Sequence, residues 1–118
     1  DGGERRMYLD DVEPVLRAGM DFLRDEGRTV GWAQLVPPVD GVAVLDHLWV
    51  VPGSMRAGIG TRLFRWAAAR AREQGATAME WESDPNAVGF YRRMGGDTVR
   101  MQRSEWGRDL PVMAVDLH

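Results

Sequence analysis

Two glycines one residue apart, Gly58 and Gly60, stand between a β-branched apolar run and a long helical pattern. Lacking Cβ atoms, they let the backbone approach a bulky ligand closely. A helix opening at about Gly60 turns its unpaired N–H groups and positive dipole end back into that turn. Strand, glycine turn and helix start together make an anion cradle, most naturally for phosphate. On its own the pattern is weak, because many helices follow a glycine turn for steric reasons alone. Other residues add chemistry. Asp46 interrupts an apolar run, and a carboxylate there needs solvation, as at the floor of a cleft. His47 has the better intrinsic pKa for a base. Glu80 and Glu82 share one face of a later strand, and Tyr91 lies in a second helical pattern.

Composition narrows what these groups can do. All fifteen basic residues are arginine, which excludes a lysine nucleophile or Schiff base, and there is no cysteine to act as nucleophile or zinc ligand. With His47 and His118 as the only histidines, a multi-histidine metal site is excluded within one chain, and no metal is expected. A net charge of -3 argues against a nucleic-acid footprint. No apolar run approaches membrane-spanning length and the start resembles no signal peptide, so the cytoplasm is the expected compartment. At 118 residues the chain is read as a single domain, with residues 1–8 expected to be poorly ordered.

The elements that must position these groups follow in order. Residues 9–16 carry helical spacing, shortened by Pro14. Residues 19–23 and 29–36 read as a hairpin, and residues 37–41 as a turn. Residues 42–51 form a long strand whose alternation places Val44, Asp46, Leu48 and Val50 on one face and Ala43, Leu45, His47, Trp49 and Val51 on the other. A helix over 61–74 stops at Gly75. A strand over 76–83 leads to a shorter helix over 87–94, then to an antiparallel pair, 97–102 and 110–117. Strand–helix–strand over 42–83 is a crossover, so those two strands are parallel in an otherwise antiparallel sheet.

Two segments taken together resemble the GNAT superfamily of N-acyltransferases. Leu45-x-x-Leu48-Trp49-Val50-x-Pro52, running into Gly58-Ile59-Gly60, is similar to its acyl-CoA-binding motif. Asp84-Pro85-Asn86-Ala87-Val88-Gly89-Phe90-Tyr91-Arg92-Arg93-Met94-Gly95 is similar to its second motif, N-x-x-A-x-x-F-Y-x-x-x-G. The resemblance covers residues 29–117 and implies an α+β fold with a mixed, mostly antiparallel central sheet and one parallel crossover pair. Family members begin with an additional strand and helix, and this chain is expected to lack them. Part of the acceptor wall would then be missing, disordered or supplied by another subunit. Three positions depart from the pattern. Met55 stands where Gln or Arg is usual, with Arg56 one place late. Gly89 stands where alanine is usual, weakening that helix by up to ~1 kcal/mol. Gly96 stands where an aromatic usually follows Gly95.

The resemblance implies acetyl-CoA as co-substrate, its pyrophosphate on the backbone N–H groups of Arg56, Ala57, Gly58, Ile59, Gly60 and Thr61. Arg56 and Arg62 are possible side-chain contacts, Arg62 being equally well a solvated helix-start residue. Thr61 reads as helix cap, phosphate ligand or both. Pantetheine would lie between Leu48, Val50 and Val51 on one strand and residues 83–86 on the other, near Phe90 and Tyr91, with the N–H near Val50 as oxyanion donor. Asn86 is either a helix cap or a pantetheine contact. Tyr91 matches the family tyrosine that serves departing CoA. A thiol near pKa ~8.5 is a stronger acid than a phenol near ~10, so full proton transfer runs uphill by roughly 2 kcal/mol, and hydrogen-bond donation to the thiolate is the better reading unless that pKa is lowered.

For the general base Asp46 is favoured narrowly over His47, Glu80 and Glu82, and an ordinary Asp would need burial or a water relay. Trp49 and Trp81 read as packing residues. Trp106 is a candidate lid or acceptor wall, with Glu105 and Asp109 suited to a cationic amine. The expected reaction is acetyl transfer from acetyl-CoA to a primary amine, small-molecule or peptide, by direct attack in a ternary complex. The alternative is a non-catalytic acyl-CoA sensor on the same fold, and either reading is compatible with a homodimer. A nucleotide-phosphate enzyme is disfavoured, since the turn lacks G-x-x-x-x-G-K-[ST] and the chain has no lysine.

Overall fold

The computed structural model describes residues 7–8, 20–25, 28–52, 58–105 and 107–117. Among the described residues seven strands form one sheet in the order β1-β2-β3-β4-β5-β7-β6. They are β1 (Met7–Tyr8), β2 (Met20–Asp25), β3 (Arg28–Val39), β4 (Val42–Val50), β5 (Ala78–Glu82), β6 (Asp97–Arg103) and β7 (Asp109–Asp116). Between β4 and β5 runs helix α1 (Ile59–Glu73), and between β5 and β6 a 3₁₀ turn (Pro85–Ala87) leads into α2 (Val88–Arg93). The pair β4–β5 is parallel and every other neighbouring pair is antiparallel. This is the mixed sheet that the crossover over residues 42–83 demands.

One face of the sheet carries the core. Ala33 and Leu35 of β3, Ala43 and Leu45 of β4, and Met79 and Trp81 of β5 are buried at two-residue spacing. Against them α1 lays Ile59, Leu63, Phe64, Ala67 and Ala71, a stripe at helical spacing whose alanines let the helix lie close to the strands. Each fully buried Leu or Ile there contributes on the order of 2 kcal/mol. Helix α1 begins at Ile59, two residues before the expected Thr61, and ends where Gly75 turns the chain.

Several expectations are corrected. The hairpin turn between β3 and β4 is only Asp40 and Gly41, both at positive φ, and Pro37 and Pro38 belong to β3. They fit because β3 pairs with β2 only up to Gln34, so beyond it one side of the strand has no ladder to satisfy. A leading strand is present after all, since Met7 and Tyr8 pair with Asp25 and Arg24. Two residues are too few to show alternation in a sequence. Residues 1–6, and the helix expected over 9–16, lie outside the described residues. Trp49 is 42% exposed rather than packed in the core, and stands opposite Trp32 across the β3–β4 ladder.

The correction that matters most lies within β4. Gln34 pairs with His47 but Leu35 pairs with Leu45, so Asp46 is an extra, bulged residue. A bulge turns two consecutive side chains to one side and resets the alternation beyond it. Leu48 stands opposite the buried Ala33, and Val50 follows two residues on. Leu48 and Val50 therefore share the α1 face with Ala43 and Leu45, and the expected common face with Asp46 is not formed.

Candidate functional site

Past the bulge, β4 parts from β5. Their parallel ladder joins Val42, Val44 and the residue between them to Ala78, Met79 and Glu80, and goes no further. The Val51 N–H donates to Val30 O at 2.8 Å, which fixes the alternation: N–H groups at odd positions here point to β3 and those of Leu48 and Val50 point the other way. Toward β5 those two donors meet no strand among the described residues. The gap opens into a cleft of about 640 Å³, within the range of small-molecule sites.

The N-terminus of α1 closes one end of this cleft. Gly58 is its N-cap in the left-handed region (φ 74), a conformation a side chain would strain, and among the described residues no side chain caps the helix. Arg62 N–H bonds back to Gly58 O at 3.1 Å, while the N–H groups of Ile59, Gly60 and Thr61 have no acceptor within the helix. Gly58, Gly60 and Thr61 line the cleft, and the first turn holds no acidic residue to compete for an anion. At Gly60 an added Cβ would come within 3.3 Å of the Phe90 ring, so a side chain there would fill the cradle. Thr61 sits inside the first turn and does not cap it.

The opposite wall comes from the 3₁₀ turn and α2. Asp84 caps that turn, its Oδ1 accepting from Asn86 N–H at 2.8 Å. Asn86 is thus relieved of capping, and its exposed side chain lines the cleft. Phe90 and Tyr91 complete this wall. Tyr91 packs against Trp81, Phe90 and Phe64 at ring separations of 5.0, 5.1 and 6.0 Å. Burial pushes its phenol from 10.0 up to about 12, since the ionised form loses solvation. Trp81 Nε1 is the buried side-chain polar atom left without a partner among the described residues.

The cleft thus gathers Leu48, Val50, Gly58, Gly60, Thr61, Asn86, Phe90 and Tyr91. Other residues singled out from the sequence fall elsewhere. Val51 spends its N–H on β3, Ile59 sends its side chain into the core, and Arg62 is exposed on α1. Met55, Arg56, Ala57 and Trp106 lie outside the described residues. The cleft also includes Ala87, Arg93 and Met94, which sequence reasoning missed. Their spacing from Phe90, three or four residues to either side, is the helical-face signal that could have found them.

Asp46 is not in the cleft. It lines a separate hollow with Val44, Glu80, Glu82, Arg100 and Gln102, its carboxylate 3.6 Å from His47 Nε2 and about half exposed. Glu80 is held by Arg100 at 3.0 Å. Glu82 also borders a neighbouring hollow with Ser104 and Glu105. In the β6–β7 connection Ser104 N–H donates to Arg108 O at 2.7 Å, Gly107 N–H to Ser104 O at 2.9 Å, and Asp109 faces Arg103 at 3.7 Å.

A crossover sheet that splays beside a helix start, with a tyrosine on the facing wall, defines a mixed α+β fold with a cleft at the parting of its parallel strands. The Acetyltransferase (GNAT) family profile matches residues 4–96, and the chain belongs to that family. Over 55 residues it is 46% identical to the blasticidin-S acetyltransferase of Streptomyces morookaense, covering 43% of this chain and 39% of that protein. A 28-residue stretch is 61% identical to an aliphatic aldoxime dehydratase of Rhodococcus globerulus, 24% of this chain but 8% of that enzyme. The chain therefore spans well under half of the curated relatives it matches. Among solved structures, Ard1 of Thermoplasma volcanium superposes with a TM-score of 0.77 at 17% identity, over 85% of this chain and 71% of that one. N-acetylglutamate synthase of Neisseria gonorrhoeae, solved with coenzyme A and N-acetyl-glutamate, gives 0.74 at 21% identity over 86% and 26%. At such identities the likeness establishes the fold.

Proposed function

We propose that this chain moves an acetyl group from acetyl-CoA to a primary amine by direct attack in a ternary complex. The observation that carries the reading is the N-terminus of α1, uncapped by any side chain among the described residues, opening on a 640 Å³ cleft where β4 has left β5. The N–H groups of Ile59, Gly60 and Thr61, which have no acceptor within the helix, suit a pyrophosphate. The donors at Leu48 and Val50 suit an extended amide chain and, at its end, a developing oxyanion. When bound, acetyl-CoA supplies the activated thioester, and the chain's own groups hold it, polarise it and stabilise the thiolate that leaves.

Tyr91 serves that last task by donating a hydrogen bond. With its phenol at about 12 and a free thiol near ~8.5, complete proton transfer would run uphill by roughly 5 kcal/mol. Asn86, free of capping, is positioned on the wall to contact the pantetheine arm.

On this reading the amine arrives from the sheet face that carries Asp46, Glu80 and Glu82 and meets the thioester through the β4–β5 gap. Carboxylates there favour a cationic amine, and half-exposed Asp46 suits a water relay better than direct proton abstraction. Among the described residues no helix is long and apolar enough to cross a membrane, and a cytoplasmic setting fits the reading. Thiol release from acetyl-CoA, followed with blasticidin S, aminoglycosides, polyamines and peptides, tests it. Release that depends on one amine class is expected. Tight CoA binding with no release by any amine would favour a sensor instead.

A further inference from the structure

The sheet face turned away from α1 carries an aromatic surface that the cleft does not use. Among the described residues both helices pack on the other side, where Phe64 of α1 and Tyr91 of α2 meet Trp81. On the outer face Trp32 of β3 stands opposite Trp49 of β4, and Gln34 stands opposite His47. The His47 ring lies 5.4 Å from that of Trp32. The bulge at Asp46 brings this surface up to the parting of β4 and β5. It turns the side chains of Asp46 and His47 to one face, with the Asp46 carboxylate 3.6 Å from His47 Nε2. Asp46 thus stands between the rings of Trp32, His47 and Trp49 and the hollow it shares with Glu80. Trp49 directly precedes Val50, so its side chain stands about 3.3 Å along the strand from the donor suited to the thioester oxygen.

Resting on the acetyl-transfer reading above, we propose that this surface holds the body of the acceptor, and that the acceptor is a primary amine carried on a flat ring. The ring lies against Trp49 and His47, and the ammonium group points to Asp46 at the gap. Tryptophan faces take flat π-systems by offset stacking and attract cations held over them. The neighbouring carboxylate draws the ammonium group toward the strand parting, where the thioester waits. A saturated chain of equal charge gains the carboxylate but little from the rings. A cross-strand pair that only stiffened the β3–β4 hairpin would affect stability and leave the choice among amines untouched.

The test follows thiol release from acetyl-CoA with tryptamine and phenethylamine against hexylamine and spermidine. It is run on the wild type, Trp49→Leu and Trp49→Phe. The wild type is expected to favour the ring-bearing amines by about tenfold or more in kcat/KM, chiefly through KM. Trp49→Leu should bring that ratio close to one, and Trp49→Phe should keep most of it. Comparing amines within each protein cancels any general loss of activity, and the wild-type ratio can fail whatever the variants do. Equal efficiencies in the wild type, release confined to the chain amines or to aminoglycosides, or a ratio unchanged in Trp49→Leu would overturn the assignment and leave acetyl transfer standing. A wild type that sediments as a dimer, beside a monomeric Trp49→Leu, would give the face to a second copy and overturn it too. Release with no amine of any class would remove the acetyl-transfer reading and this inference together.

Discussion

Tyr91 sits where two demands meet. Its ring belongs to the aromatic packing of Trp81, Phe64 and Phe90, it lines the cleft, and on the proposed reading its hydroxyl donates to the departing thiolate. Tyr91→Phe should keep the packing and lose the donor. Turnover is expected to fall at least tenfold, about 1.4 kcal/mol of barrier, with CoA affinity little changed. Steady-state kinetics beside calorimetry would check this, and unchanged turnover would sink the role. The same phenol has a signature in stability. Its folded pKa is raised above the unfolded value, so the fold holds its full share of stability below pH ~10 and loses it as pH rises toward ~12. The loss is on the order of 2–3 kcal/mol. Denaturant midpoints measured across that window should fall in the wild type and fall less in Tyr91→Phe.

Gly96 shows how a departure from the family pattern is explained by a neighbour. A Cβ there would lie 2.8 Å from the Trp81 ring and 3.2 Å from Tyr91 O. Trp81 already fills the space an aromatic after Gly95 would need, so Gly96→Ala should cost about 1–3 kcal/mol in chemical denaturation. That pairing joins residues fifteen apart in the chain, and nothing local in the sequence announces it. Tyr91 and the glycines Gly58 and Gly60 were legible because their types and spacing carry the chemistry themselves.

Among the elements, β4 was the hardest to read. Residues 42–50 alternate well enough to be recognised as a strand, but alternation carried through Asp46 assigns Leu48 and Val50 to the wrong face. The bulge exists only in the register with β3, where Gln34 meets His47 and Leu35 meets Leu45. A bulge bends and twists its strand, and here β4 leaves β5 just past Val44. On the proposed reading Asp46 has two separable roles. Asp46→Asn keeps the extra residue, so CoA affinity should persist while the pH–rate profile changes if the carboxylate relays a proton. Deleting Asp46 removes the bulge, and CoA affinity should fall about tenfold or more, as expected when the donors of Leu48 and Val50 shift by even an ångström. Equal CoA affinity in both variants would show that the bulge does not shape the cleft. The 3₁₀ turn offers a smaller case. Asp84→Ala should cost about 1 kcal/mol as a lost cap and displace Asn86.

Across the whole molecule, one sheet separates two environments. The α1 side holds the core and the cleft, and the other side carries Asp46, Glu80, Glu82 and Arg100 around a solvated hollow. The gap between β4 and β5 is where the two could communicate, which suits a reaction that brings an anionic donor and a cationic acceptor together from opposite faces. The crossover was legible over residues 42–83 because hydrophobic period switches from two to 3.6 and back. The two-residue strand β1 was not, since pairing with β2 rather than pattern defines it. The central claim is that CoA lies over the start of α1 with its thioester at the β4–β5 gap. A crystal structure of the chain with acetyl-CoA tests it most directly. The pyrophosphate is expected within hydrogen-bond distance of the Ile59, Gly60 and Thr61 N–H groups, and the thioester oxygen on the Val50 N–H. Density for CoA on the Asp46 face, or with its pyrophosphate away from α1, would contradict the account.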